Sequence, residues 1–238
     1  YLPWKKILGQ LLGVSDLSKG VQVKKMLRNK LFKLNKEYLD WLPLIFNILE
    51  LIRIQEWKER GKYGGVPTLI KQKTVKEYAY RFAIDTFIET GTYMGEMVSA
   101  TKHTFKEIFS IELNNKLFED AEKKFVKYPH IHIIHGDSSK ILPEILSSIK
   151  KPCLFWLDAH YSGGITTKGD VETPIKKELE AIFQHSVKNH VILIDDARCF
   201  IGKNDYPTIK WLKDYILKYH PDWNFEIEHN IIRVYPSK

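Results

Sequence analysis

From Asp85 to the end of the 238-residue chain, short unbroken apolar runs alternate with stretches of helical periodicity. A strand that is apolar on both sides must be covered on both sides, which in practice means a parallel sheet between two layers of helices. The runs read as strands are the one that opens at Asp85 and ends in Glu89, then 108–113, 131–135, 153–157 and 191–194. Helices are expected over 116–128, 139–149, 174–185 and 208–219, the third with Thr173 as N-cap and Pro174 in its first position. The chain closes with two further runs, 224–228 and 231–235, separated only by His229-Asn230, as in a hairpin. The expected fold class is α/β. It is a Rossmann-like seven-stranded, mostly parallel sheet with an antiparallel C-terminal hairpin strand and helices on both faces.

Residues 1–62 read differently, as a helical extension. Residues 42–54 are apolar except for Asn47, Glu50 and Arg53, whose spacing leaves one narrow polar stripe on a helix. The run is shorter than the roughly 20 apolar residues that a bilayer span needs. It could pack on the main domain, act as a lid over substrate, or form a homodimer contact. Residues 24–36 alternate Lys and Arg with Met26, Leu27, Leu31, Phe32 and Leu34, which suits a basic amphipathic helix. The breaker cluster from Gly61 to Pro67 marks the boundary, with 1–62 as the extension and 63–238 as the main domain. A helix over 68–82 then leads into the first strand.

Charge follows the same division. The net charge is +8, yet residues 1–82 hold 17 Lys and Arg against 7 Asp and Glu, while the remainder holds 20 against 22. Basicity therefore belongs to the N-terminal part. It reads as a solvated face, and a nucleic-acid partner is not expected. Cys153 and Cys199 are too few for a disulfide framework and are expected as core or near-core thiols. With no signal-peptide pattern, a reducing, cytoplasmic setting is expected. The first residue is Tyr1, as in a chain trimmed or cut from something longer.

Function is expected at the carboxyl ends of the strands, where open α/β sheets bind ligands. The first strand runs into Glu89-Thr90-Gly91-Thr92-Tyr93-Met94-Gly95, an acidic strand end followed by a turn with two glycines and a helix start. The second strand ends at Glu112, the third is followed by Gly136-Asp137-Ser138, the fourth by Asp158-Ala159-His160-Tyr161 and the fifth by Asp195-Asp196. Five acidic strand ends on one rim repel one another unless a cation or a hydrogen-bonding ligand offsets them.

Over about residues 68–238 this pattern resembles the class I S-adenosylmethionine-dependent methyltransferases. Glu89-x-Gly91-x-x-x-Gly95 is similar to their first motif, without the middle glycine of the commoner three-glycine form. The resemblance implies that Glu89, Thr90, Gly91, Thr92, Tyr93 and Gly95 wrap the methionine part of S-adenosylmethionine. Glu112 would bind the ribose hydroxyls, and Asp137 with Ser138 the adenine. Asp158 and the Asp195-Asp196 pair resemble the metal ligands of divalent-metal-dependent O-methyltransferases of the macrocin and catechol types. That likeness implies Mg²⁺, or another divalent cation, at Asp158, Asp195 and Asp196, holding the oxygens of the acceptor. His160 stands where the macrocin type often has a second carboxylate.

The chemistry has its own logic. A neutral hydroxyl attacks a sulfonium methyl poorly, and a nearby cation lowers its pKa while a base takes its proton. His160 has a suitable intrinsic pKa for the base, and Asp158 is the alternative. Asp195-Asp196 could instead cap a helix or pair with Arg198. The glycine-rich loop 162–170 is a candidate lid, with Tyr161 or Lys168 touching the acceptor, and 200–207 is a second. The histidines at 130, 132, 135, 185, 190, 220 and 229 show no metal-ligand spacing. The expected activity is metal-assisted O-methylation of a small molecule, sugar or glycan precursor. A non-catalytic cofactor-binding scaffold is the alternative. A nicotinamide-dependent oxidoreductase is disfavoured by the absent Gly-x-Gly-x-x-Gly fingerprint.

Overall fold

The computed structural model describes residues 42–62, 64–159 and 173–237, with side chains described from residue 50 onward. The expected basic helix at 24–36, His160, Tyr161 and the loop 162–170 lie outside the described residues. The chain divides into two units, with the break between Leu69 and Ile70. In the first, helix α1 spans Leu42–Glu59, and Arg53 donates to Glu50 at 2.8 Å along the expected polar stripe. Among the described residues, no helix is long and apolar enough to cross a membrane.

In element order, the next helix is α2, Thr68–Arg81, and the sheet domain follows: β1 Thr86–Thr90, α3 Glu96–Thr101, β2 Glu107–Glu112, α4 Asn115–Phe125, β3 Ile131–His135 and α5 Ser138–Ser148. Then come β4 Leu154–Leu157, α6 Ile175–Gln184, β5 Val191–Ile194, a short 3₁₀ turn Ala197–Cys199, α7 Ile209–Tyr219, β6 Trp223–Glu228 and β7 Ile231–Pro236. The seven-stranded order is β3-β2-β1-β4-β5-β7-β6. Strands β1 to β5 are parallel, and β7 runs antiparallel to both β5 and β6. The expected sheet is present. The β6–β7 turn places both His229 and Asn230 at positive φ, the geometry of a tight two-residue hairpin.

Most boundaries moved by a residue or so, while α4 ends at Phe125, three residues short of the expected 128. β1 continues past Glu89 to Thr90, so the acidic residue lies inside the strand rather than at its tip. At α6, Pro174 occupies the cap position and Ile175 starts the helix, with Thr173 Oγ1 accepting from the Ile175 N–H at 3.4 Å. The expected N-cap, Thr173, therefore lies one position outside the cap, and Pro174 stands at the cap rather than in the first helical position.

The unbroken apolar strands are explained by two cores, one on each side of the sheet. Ile88, Phe155, Leu157, Ile192 and Ile194 pack with Leu142 of α5, Leu179 of α6 and Leu212 and Ile216 of α7. Phe87, Leu154, Trp156, Val191 and Leu193 pack with Val75 and Tyr78 of α2, Val98 of α3 and Phe125 of α4. Successive strand residues alternate between these cores because the side-chain period of a strand is two. The same parity sends the acidic strand ends to chosen sides. β1 goes to β2 on one side and to β4 on the other, so the topological switch lies at its carboxyl end.

Candidate active site

The glycine turn sits at that switch. Gly91 has φ of +90°, and a Cβ there would stand 2.7 Å from the backbone oxygen of Asp158. The turn is thus pressed against the end of β4, at a distance only a residue without a side chain can reach. Its N–H and that of Thr92 both donate to the Ile111 carbonyl, at 2.9 and 3.2 Å, which binds the turn to β2 as well. Gly95, at φ +63°, starts α3 with its Cα against the Phe125 ring.

Glu112 organises the other wall. One of its oxygens accepts from the Tyr93 N–H at 2.7 Å and the other from the Asn114 N–H at 2.9 Å. Its backbone carbonyl accepts from Gly136 at 2.9 Å, tying in the loop after β3. Asp137 caps α5, accepting from the Ser139 N–H at 2.9 Å. So Gly91, Thr92, Tyr93, Glu112 and Asp137 are gathered by one hydrogen-bonded framework at the ends of β1, β2 and β3. Each carboxylate oxygen has two lone pairs, which leaves Glu112 capacity for a ligand hydroxyl.

Four of the expected cofactor residues turn inward. Glu89 is buried and accepts from Ser110 Oγ at 2.5 Å. Thr92 Oγ1 lies 2.7 Å from Ser110 Oγ, so the two hydroxyls and Glu89 form one hydrogen-bonded chain. Burial raises the Glu89 pKa to about 8 against the pull of Ser110, with Asp158 and Glu112 pushing the same way and Lys124 opposing. A neutral carboxyl therefore braces the turn from beneath. Thr90 and Ser138 are also buried, on the opposite side of the sheet. There they adjoin Glu178 of α6, a residue the sequence reading did not single out. Burial pushes Glu178 up to about 7, although the nearby Ser138 and Thr90 hydroxyls lower it. Glu178 Oε1 and Thr90 Oγ1 nevertheless have no partner with hydrogen-bond geometry.

The second half of the rim is formed by β4 and β5. These strands are neighbours, as expected, and the Asp158 and Asp195 N–H groups continue the ladder to Thr90 and Leu157 at 3.0 and 3.1 Å. Asp195 takes the parity of Leu193 and faces the α2 side. There its Oδ2 accepts from the ammonium of Lys71, and its Oδ1 accepts from the Asp196 N–H at 2.8 Å. Asp196 adopts the left-handed conformation, φ 52° and ψ 49°. Its Oδ1 lies 3.0 Å from Arg198 and accepts from Asn230 Nδ2 at 2.9 Å. The Arg198 pairing, one of the two sequence alternatives, is therefore formed at Asp196.

The shared ion expected at Asp158, Asp195 and Asp196 does not fit this arrangement. Among the described residues, no group of three or more His, Cys, Asp or Glu could hold a metal ion. Asp195 already carries a cation of the chain itself, and Asp196 is drawn aside by Arg198 and Asn230. Burial, with the nearby Asp158, pushes the Asp195 pKa upward against the pull of Lys71. Lys71 is raised in turn, its burial outweighed by Asp195, Asp158 and Asp196. Lys71 was the missed residue on this side. Its signal in the sequence is a lysine in register with Val75 and Tyr78 on the buried face of α2.

Cys153 and His190 belong to the core. Burial raises the Cys153 thiol to about 12 and raises Cys199 as well. His190 is buried, held down to about 4 by that burial, and its Nδ1 accepts from the Cys153 N–H at 3.0 Å.

No family model matches the chain. A stretch of 60 residues, 25% of the chain, is 33% identical to the ribosomal RNA small subunit methyltransferase A of Dehalococcoides mccartyi (strain CBDB1). The match spans about a fifth of that curated relative's length. Among solved structures, a candidate caffeoyl-CoA O-methyltransferase from Staphylococcus aureus superposes with a TM-score of 0.53 at 16% identity, over 85% of this chain and 99% of that one. An O-methyltransferase from Bacillus cereus in complex with S-adenosylhomocysteine gives 0.52 at 12% identity, over 78% and 90%. An S-adenosylhomocysteine-bound methyltransferase from Podospora anserina gives 0.51 at 15%, over 86% and 97%. With its parallel five-stranded core and reversed β7 between β5 and β6, the chain has the class I S-adenosylmethionine-dependent methyltransferase fold.

Proposed function

We propose that the protein is an S-adenosylmethionine-dependent O-methyltransferase acting on a hydroxyl of a small molecule, sugar or glycan precursor. The observation that carries this reading is the framework of Gly91, Tyr93 and Glu112 at the topological switch. It presents a turn free of side-chain bulk beside a carboxylate suited to a vicinal diol. The S-adenosylhomocysteine-bound neighbours of the same fold support the choice of cofactor. In the reaction, an acceptor oxygen lone pair forms the bond to the methyl carbon, the carbon–sulfur electron pair returns to sulfur, and the hydroxyl proton is released. In-line placement of oxygen, methyl and sulfur supplies much of the rate.

Calorimetry should show saturable binding of S-adenosylhomocysteine and none of NADH, followed by labelled-methyl transfer to a panel of hydroxylated acceptors. The reverse ligand preference would reject the reading, and tight cofactor binding without any transfer would favour a non-catalytic scaffold. Glu112→Ala removes the acceptor of two backbone N–H groups as well as the proposed ribose contact. It should weaken S-adenosylhomocysteine by roughly 10- to 100-fold, since hydrogen bonds to a charged group contribute about 1.5–3 kcal/mol. An unchanged affinity would remove Glu112 from the site.

A further inference from the structure

We propose that the Lys71 ammonium is the resident cation of the acidic rim, standing where a divalent ion would otherwise be needed, so that methyl transfer proceeds without a metal. The proposal rests on the methyltransferase reading for its activity arm alone. Lys71 comes from α2, 124 residues before its partner Asp195, and meets it on the side of the sheet that β5 parity dictates. Its side chain is about one-fifth exposed, while that of Asp195 is almost wholly buried. The charges of Asp158 and Asp196 also act on it. One lysine therefore bonds Asp195 at the end of β5 and lies in the field of Asp158 and Asp196, the place where the acidic pattern would otherwise call for an ion.

The arrangement offsets part of the repulsion at the rim without a bound ion. An ammonium is a compact positive charge with three donor hydrogens, only one of which Asp195 Oδ2 requires. A fixed cation there holds the rim carboxylates in place, the charge-balancing part that a metal plays elsewhere. Lys71 acts here through the rim carboxylates and is a positioning residue. A hard divalent ion would have to displace it from Asp195 and also draw Asp196 away from Arg198 and Asn230.

The test measures Mn²⁺ binding to the full chain by electron paramagnetic resonance, beside methyl transfer with and without chelator. Wild type should show no saturable Mn²⁺ binding up to about 1 mM, the weak end of protein sites for such ions. Chelator should change its transfer rate by less than about twofold. Lys71→Gln vacates the rim and should gain Mn²⁺ affinity by at least about tenfold, with transfer that now depends on the added ion. A lysine that only stabilised the fold would produce no such gain. Saturable Mn²⁺ binding by wild type, or transfer abolished by chelator, overturns the proposal. So does a folded Lys71→Gln protein that binds S-adenosylhomocysteine yet gains no Mn²⁺ affinity. If the variant does not fold, the wild-type titration decides alone. Failure of S-adenosylhomocysteine to bind rejects the methyltransferase reading instead, and the Mn²⁺ arm still decides this one.

Discussion

Replacing Glu89 by Gln is expected to leave stability nearly unchanged at pH 5 and to make the protein more stable than wild type at pH 8. Glu89 is buried and carries a pKa of about 8, against an ordinary value of 4.5. Between those two values the folded state holds a proton that the unfolded state has released. Wild-type stability therefore falls as pH rises through this window, by about 1.4 kcal/mol per pH unit from this group, and levels off above it. Gln is neutral throughout and its oxygen can still accept from Ser110. The variant-minus-wild-type difference should therefore grow by up to about 4 kcal/mol from pH 5 to pH 8. Urea unfolding followed by circular dichroism at each pH gives the comparison. The groups acting on Glu89 are Ser110, Asp158, Glu112 and Lys124, none of which the substitution removes. A difference that stays flat with pH would mean that Glu89 is ionised in the folded protein and that the turn rests on a charge.

The second large effect is expected at Gly91. Gly91→Ala forces a side chain into a left-handed backbone conformation and brings its Cβ to 2.7 Å from the Asp158 oxygen. That oxygen is backbone at the end of a central strand and cannot rotate aside. Strained backbone of this kind costs on the order of 1–3 kcal/mol before any steric contact is counted, so a loss of about 2–4 kcal/mol is expected. The turn must also move away from β4, and S-adenosylhomocysteine affinity should fall by more than about tenfold. Thermal unfolding and calorimetry on the same preparation measure both. A variant with wild-type stability and affinity would show that the turn does not need its close approach to Asp158. At Gly95 the obstacle is the Phe125 ring, a side chain able to shift, so the same substitution there should be milder.

The two halves of the rim differ in what local sequence discloses. The cofactor half is built from residues near in sequence to the turns they serve. Asn114 caps α4 and Asp137 caps α5 through bonds to N–H groups two or three residues on. Such contacts depend on spacing, and spacing is visible in a sequence. Glu89 was legible as an acidic residue at a strand end, but its role was not. One more strand residue, Thr90, and a hydroxyl from β2 decide that it is buried and neutral. The ligand set expected at Asp158, Asp195 and Asp196 is not gathered among the described residues, for a related reason. Adjacent strand ends bring the acids close, as the parallel pairing of β4 with β5 requires, yet other parts of the chain arrive with cations and amides of their own.

By itself the sequence determined the sheet, its two covered faces, the terminal hairpin and the rim at which the acids collect. Strand parity, helix period and turn residues act over a few neighbours, and they agree with one another along the whole domain. Only the tertiary structure decided which charges on that rim are answered, and by what. Lys71 reaches Asp195 across 124 residues, Asn230 reaches Asp196 across 34, and Glu178 is buried beneath Thr90 by the packing of a helix far along the chain. Electrostatics at a buried site depends on distance through space and on lost water. Neither quantity is written in the order of the residues.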